Sequence, residues 1–189
     1  KSLNIYQGFL TIPNKKSALL TDIHLVQSCM LPRKKLTLYI GVTKLNTLDV
    51  ILQKATELGV WEIHPIIGEY TPVKKSLVLS DQKKHHWKKI ITSSVVQARN
   101  PWAPTLNPPS MLRELSITNQ PLVLHPHAPC IQPSTLTTTH QVMIGPEGGW
   151  SENEISYLQD RGANIAALDT PILRAETAVV AGLTLLNSH

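Results

Sequence analysis

From Leu36 onward, short apolar runs alternate with segments in which apolar residues recur every three or four positions. Leu36–Ile40 is an apolar run closed by Gly41, which predicts a buried strand. Thr47–Leu58 carries Leu48, Ile51, Leu52, Ala55 and Leu58 on one helical stripe, with Gly59 placed to end it. Glu62–Ile67 is strand-like. A helix capped by Ser80 or Asp81 follows, with Trp87, Ile90, Ile91, Ser94, Val95 and Ala98 as its core face and Asn100-Pro101 as its stop. A proline-rich stretch (Pro101, Pro104, Pro108, Pro109) precedes a short expected helix near Ser110–Leu115. Leu122–His125 and Gln141–Ile144 read as short buried strands, and Ser151-Glu152-Asn153-Glu154 as a capping box for a helix reaching about Asp160, closed by Gly162. Ala163–Leu168 predicts a last strand and Ala175–Leu186 a last helix rich in small residues. Strands alternating with helices imply an α/β fold with a mostly parallel sheet flanked by helices over residues 35–189.

Residues 1–30 differ. Gly8–Ile12 and Ala18–Val26 are β-like runs joined by Pro13-Asn14-Lys15-Lys16. Two strands do not make a stable domain alone, so the segment reads as the tail of a β domain. Lys1-Ser2-Leu3-Asn4 has neither a Met nor an apolar core, so no signal peptide is expected and the chain reads as part of a longer protein.

With 189 residues, 42% of them hydrophobic, the chain suits one well-packed domain or a domain with a small appendage. No apolar run approaches the roughly 20 residues that cross a bilayer, so no membrane partner is expected. Cys29 and Cys130 stand far apart with no zinc spacing, which suits a reducing cytoplasm better than a disulfide scaffold. The formal charge of +5 is compatible with a polyanionic partner. Its distribution says more: Lys15, Lys16, Arg33, Lys34, Lys35, Lys44, Lys54, Lys74, Lys75, Lys83, Lys84, Lys88 and Lys89 all precede residue 90, while acids cluster from Glu147 to Asp160.

Three loops leave strand ends, where open α/β sheets bind ligands. His125-Pro126-His127-Ala128 holds two histidines at i, i+2, but no third ligand stands at a telling spacing, so no metal is expected there. Ile144-Gly145-Pro146-Glu147-Gly148-Gly149-Trp150 runs straight into the capping box at Ser151. Glycines let a ligand approach the backbone, and Glu147 would repel a phosphate. A ligand with hydroxyls, an adenine ring and a positive centre suits such a loop, and S-adenosylmethionine is of that kind; a tight turn with no ligand is the alternative. The dinucleotide fingerprint Gly-x-Gly-x-x-Gly and the Gly-Lys-Ser/Thr of a phosphate-binding loop are both absent. The third loop, Leu168-Asp169-Thr170-Pro171-Ile172-Leu173-Arg174-Ala175-Glu176-Thr177-Ala178, passes through a proline-stiffened turn into the last helix.

Together these segments resemble the RsmE-type SPOUT methyltransferases, which methylate N3 of a uridine in small-subunit (16S) ribosomal RNA. The resemblance is carried by Gly145–Trp150 with Glu154, by Ile172–Ala178, and by Gln53-Lys54-Ala55-Thr56-Glu57-Leu58-Gly59-Val60, and spans roughly Leu36 to Asn187. It implies a SPOUT domain closed by a C-terminal trefoil knot, a homodimer, and a PUA-like RNA-binding β-barrel of which residues 1–30 are the C-terminal remnant. It implies S-adenosylmethionine held by Leu124, His125, Gly145, Pro146, Glu147, Gly148, Gly149, Leu168, Ile172, Leu173, Ala175 and Thr177.

Uridine N3 carries a proton, so Arg174 is expected to stabilise charge developing on the uracil carbonyls, with Glu176 orienting it or accepting the proton through water. These two are the expected catalytic pair. Lys44, Lys54 and Arg99 are the candidate contacts to RNA. Three stretches depart from the family pattern. Tyr70 stands where an arginine is common, Val95-Val96 where a Glu-Gln pair is common, and Lys44-Leu45-Asn46 where a lysine-glycine-acid stretch is common. These departures keep open a different RNA nucleoside as target, and a non-catalytic RNA-binding module with a vestigial pocket.

Overall fold

The computed structural model describes residues 2–30, Pro32 and 34–188. Lys1, Arg33 and His189, which belong to the segments and the basic set named above, lie outside the described residues. The chain divides into two compact units, Lys1–Arg33 and Lys34–His189.

In the first unit, β1 (Ser2–Asn14) and β2 (Ser17–Met30) form an antiparallel hairpin. Both strands run well beyond the apolar runs that predict them. The turn forms where Asn14 Oδ1 accepts from the Lys16 N–H at 2.9 Å. Ile5, Phe9, Leu10, Ile12, Leu19, Leu20, Ile23, Leu25 and Val26 are all exposed, so the hairpin buries little of its own apolar surface.

The second unit is built on a seven-stranded sheet whose recorded pairings are all parallel. Its strands are β3 (Thr37–Gly41), β4 (Glu62–Ile67), β5 (Thr105–Leu106), β6 (Ser110–Met111), β7 (Leu122–Leu124), β8 (Gln141–Ile144) and β9 (Asn164–Ala166). The order is β5-β4-β3-β8-β7-β9, with β6 also on β4. The helices are α1 (Leu45–Glu57), α2 (Lys75–Val78), α3 (Asp81–Ala98), α4 (Pro133–Thr138), α5 (Glu152–Gln159) and α6 (Ala175–Ser188).

A parallel sheet needs both faces covered, and the alternation along each strand assigns the faces. Leu38, Ile40, Ile63, Ile67, Leu122, Leu124, Val142 and Ile144 pack with Leu48, Ile51 and Leu52 of α1 and Val179, Leu183 and Leu186 of α6. Tyr39, Ile66, Val123 and Met143 point the other way, onto Trp150, Leu112 and Leu158. Each fully buried Leu or Ile contributes about 1.5–3 kcal/mol over an exposed one. In α3, Trp87 and Ile91 reach the core, and Asp49 of α1 accepts from Trp87 Nε1 at 3.2 Å.

Helix ends follow the sequence signals closely. Gly59 takes φ +74, with Gly59 N–H on Thr56 O at 3.1 Å and Val60 N–H on Ala55 O at 3.1 Å, a Schellman closure of α1. Gly162 closes α5 in the same way at φ +77. Elsewhere the structure departs from expectation. The short helix expected near Ser110–Leu115 is instead β6 followed by a single 3-10 turn at Leu112–Glu114. The brief parallel pairings of Ser110 and Met111 with Ile66 and Ile67 hold that backbone extended. Neither α4 nor α2 is visible in apolar periodicity, because each is too short to show one. Among the described residues, no helix is long and apolar enough to cross a membrane.

Candidate methyl-donor and RNA site

Because the strands are parallel, the loops after β3, β4, β7, β8 and β9 leave along one edge of the sheet. The start of α6 joins them. Its far end lies at the opposite edge, where Asn187 Nδ2 donates to Leu58 O at 3.0 Å and Lys34 Nζ to Leu186 O at 3.4 Å. Gly145–Gly149, Leu124-His125, Leu168–Ala175, Glu176 and Lys44 therefore share an edge.

The glycine loop after β8 is tightly fixed. Gly149 takes φ +74 and its N–H bonds Pro146 O at 2.8 Å, closing a turn over Glu147-Gly148. A Cβ on Gly145 would stand 3.0 Å from the carbonyl carbon of Gly149, so the loop's two ends touch through backbone. Glu147 Oε1 accepts from the Lys44 N–H at 3.1 Å, tying this loop to the exit of β3. Lys44 thus contributes its backbone here, while its side chain is exposed. Trp150 is buried, and its Nε1 has no hydrogen-bond partner among the described residues.

Glu154 does two jobs that the sequence shows only in part. Its Oε2 accepts from Ser151 N–H at 2.9 Å while Ser151 Oγ accepts from Glu154 N–H at 3.2 Å, the capping box of α5. Its Oε1 accepts from Glu69 N–H at 2.9 Å, so the same carboxylate holds the loop after β4. Glu154→Ala leaves both N–H groups without this partner and is expected to cost about 1–3 kcal/mol. Thermal denaturation checks this, and an unchanged Tm would show that neither bond matters. That loop is a turn: Thr71 Oγ1 accepts from Gly68 N–H at 2.9 Å, and Thr71 N–H donates to Gly68 O at 3.3 Å. Tyr70 projects from it and lies against Gly148.

At the β7 exit, His125 N–H donates to Ala166 O at 3.0 Å, continuing the pairing with β9. Burial, and secondly the neighbouring His127, hold the His125 imidazole below its usual pKa. The two rings meet edge to face at 5.8 Å. Among the described residues, no group of three or more His, Cys, Asp and Glu stands where it could hold a metal ion.

After β9 the chain turns at Thr170, whose N–H bonds Leu168 O at 2.8 Å. Leu168 and Leu173 are half-buried, whereas Ile172 is 76% exposed. An apolar side chain left this open on the same sheet edge as the glycine loop is a surface that a flat ring could cover. Arg174 precedes the first turn of α6, and its carbonyl accepts from Ala178 N–H at 2.9 Å. Its guanidinium is exposed and makes no ion pair among the described residues. A cation at a helix N-terminus opposes the macrodipole by about 0.3–1 kcal/mol, so stability of α6 does not explain it. Ala175 is buried, Glu176 half-buried and Thr177 exposed.

The expected RNA contacts are not brought together. Lys54 stands in the last turn of α1, at the opposite edge from Lys44, and pairs with Glu57 at 2.9 Å. Arg99 ends α3 at φ 51, next to Asn100, whose Nδ2 bonds Thr56 O at 3.3 Å. Both therefore flank the strand starts. Basic residues in sequence order carry no information about which end of a helix faces the site, and that is why the sequence grouped them.

A family model for the RNA methyltransferase domain matches residues 30–187. The chain belongs to this family. Within it, this RNA methyltransferase domain is similar to ribosomal RNA small subunit methyltransferase E of Aquifex aeolicus, 35% identical over 82% of this chain and 69% of that one. It is also similar to the protein of that name from Synechocystis, 29% identical over 80% of this chain and 52% of the relative. The chain thus spans between about half and about two thirds of these curated relatives. Among solved structures, ribosomal RNA small subunit methyltransferase E from Neisseria gonorrhoeae, bound to S-adenosyl methionine, superposes with TM-score 0.83 at 27% identity, covering 98% of this chain and 82% of that one. A protein from Legionella pneumophila in complex with bound SAM gives TM-score 0.78 at 27% identity, covering 100% and 83%. The resemblance read from Gly145–Trp150, Ile172–Ala178 and Gln53–Val60 is thereby shown, and the parallel sheet flanked by helices is that of the SPOUT methyltransferases.

Proposed function

We propose that the chain is the catalytic part of an S-adenosylmethionine-dependent methyltransferase acting on N3 of a uridine in small-subunit (16S) ribosomal RNA. The observation that carries the reading is the convergence, on one sheet edge, of the Gly145–Gly149 loop, the exposed apolar Ile172 and Arg174, which has no ion-pair partner among the described residues. The names of the relatives from Aquifex aeolicus and Neisseria gonorrhoeae support the substrate and the cofactor. The site's chemistry suits S-adenosylmethionine. Backbone closes the loop where a side chain would obstruct it, an apolar rim can cover an adenine, and Glu147 makes the loop unsuited to phosphate. Leu124, His125, Gly145–Gly149, Leu168, Ile172, Leu173, Ala175 and Thr177 are the residues that would hold it.

When bound, S-adenosylmethionine supplies a methyl group on a sulfonium. The protein's part is to hold the uracil in line and to ease loss of its N3 proton. Arg174 would neutralise charge that develops on the uracil carbonyls as that proton leaves. Glu176 would orient Arg174 or take the proton through water. Lys44 would meet the RNA backbone from the same edge, with Lys54 and Arg99 reaching it only along a longer path. The remaining expectations join the proposal: residues 1–30 as the C-terminal remnant of a PUA-like RNA-binding β domain, in keeping with the exposed apolar hairpin; a trefoil knot threading the loops around Gly145 and Leu168; a homodimer; and a cytoplasmic location. Mass spectrometry of ribosomal RNA nucleosides after incubation with the protein and cofactor tests the reading. 3-Methyluridine is expected. A different methylated nucleoside would move the target, and no methylation with intact cofactor binding would favour a non-catalytic RNA-binding module.

A further inference from the structure

Tyr70 is the residue whose placement the proposed reaction does not yet use. It is 49% exposed although it is an aromatic side chain on a fixed turn. One side is occupied: a Cβ on Gly148 would stand 2.9 Å from Tyr70 Cβ and 3.4 Å from its Cγ, so the tyrosine lies directly on the glycine loop. The turn that carries it is held from two directions, by Thr71 Oγ1 on Gly68 N–H at 2.9 Å and by Glu154 on Glu69 N–H at 2.9 Å. No hydrogen bond or ring contact to another residue engages the phenol or its open face among the described residues. Exposed lysines border it in sequence at Lys74 and Lys75, and Lys44 stands on the neighbouring loop.

A half-open aromatic face on a fixed turn, with exposed lysines close in sequence and on the neighbouring loop, is suited to binding an unstacked base. We propose that Tyr70 is a stacking platform for a nucleobase of the RNA substrate, the target base or its immediate neighbour, on the face turned away from Gly148. This rests on the methyltransferase reading above. Tyrosine in place of the arginine common there exchanges a charged side chain for an aromatic face.

The test compares Tyr70→Phe, Tyr70→Leu and Tyr70→Ala in the whole chain, measuring affinity for small-subunit ribosomal RNA, methyl transfer to it, and S-adenosylmethionine affinity by calorimetry. Phenylalanine is expected to retain RNA affinity within about twofold, while leucine and alanine weaken it by about 5- to 100-fold, with cofactor affinity unchanged in all three. Leucine keeps an apolar contact with Gly148 but has no π face, so it separates stacking from packing. RNA affinity in Tyr70→Leu equal to that of the unaltered chain would overturn the platform and leave the methyltransferase reading standing. Loss of cofactor affinity in Tyr70→Leu would likewise overturn it, by making Tyr70 a prop for the glycine loop. If the unaltered chain neither binds nor methylates ribosomal RNA, the underlying reading fails and the platform with it.

Discussion

Arg174→Ala is expected to lower kcat for methyl transfer to ribosomal RNA by about 10²–10³-fold, while S-adenosylmethionine affinity stays within about twofold. The reasoning begins with what Arg174 does not do. It forms no ion pair among the described residues, is exposed, and sits before the first turn of α6, where the helix dipole disfavours a cation. Removing it should leave the helix as stable or slightly more so. In the proposed mechanism, a negative charge that arrives during function gives a cation at such a position its role. The uracil imide becomes such a charge once N3 loses its proton, and the guanidinium together with the first N–H groups of α6 would meet it. Arg174→Lys keeps the charge but loses the planar fork, and is expected to fall between the two. Steady-state kinetics with calorimetry decide the matter. An Arg174→Ala protein that turns over at the rate of the unaltered chain would remove the charge-stabilising role.

How much of this was legible in the chain depends on whether the signal is local. The capping box at Ser151–Glu154, the closing Gly59 and Gly162, and the stripe of Leu48, Ile51 and Leu52 are local, and the structure shows each of them. The two short parallel strands β5 and β6 have no local signal. They exist because β4 offers an unpaired edge, and their own residues, Thr105-Leu106 and Ser110-Met111, show no alternation. The site divides the same way. The glycine loop and the Arg174 segment could be recognised as motifs. The bond from Glu154 to Glu69 spans 85 residues and the bond from Lys44 to Glu147 spans 103, and neither leaves a trace in sequence spacing. Lys54 and Arg99 show the converse problem. Their charge is visible, but the direction in which α1 and α3 run places them at the strand starts, away from the loops. The contact of Tyr70 with Gly148 could have been suspected, since the tyrosine stands out against the family pattern, but only the fold says what it touches.

The glycine loop offers the second large effect, through a residue outside the recognised motifs. Gly41 ends β3, and a Cβ built there would collide with Pro146 Cδ and stand 2.5 Å from Pro146 N and 2.9 Å from the carbonyl carbon of Gly145. No flexible side-chain tip can move aside, because two of these atoms are backbone and the third is in a proline ring. The loop is also tethered on either side, by Lys44 N–H on Glu147 and by Gly149 N–H on Pro146 O. Gly41→Ala must therefore push Gly145-Pro146 off the sheet edge or strain β3, at about 1–3 kcal/mol of stability. S-Adenosylmethionine affinity should fall by at least about tenfold, since a displacement near 1 Å costs on that scale in a preorganised site. A general loss of stability could mimic this, so Gly162→Ala serves as the comparison. Gly162 has φ +77 with nothing within 4 Å of an added Cβ, and it closes α5 away from the cofactor loops. Alanine in that left-handed conformation costs about 1–2 kcal/mol through backbone strain alone. The pair should thus lose similar stability in thermal denaturation, while calorimetry finds cofactor affinity lost only in Gly41→Ala. Equal cofactor affinity in the two variants would mean that the floor under Pro146 does not position the loop.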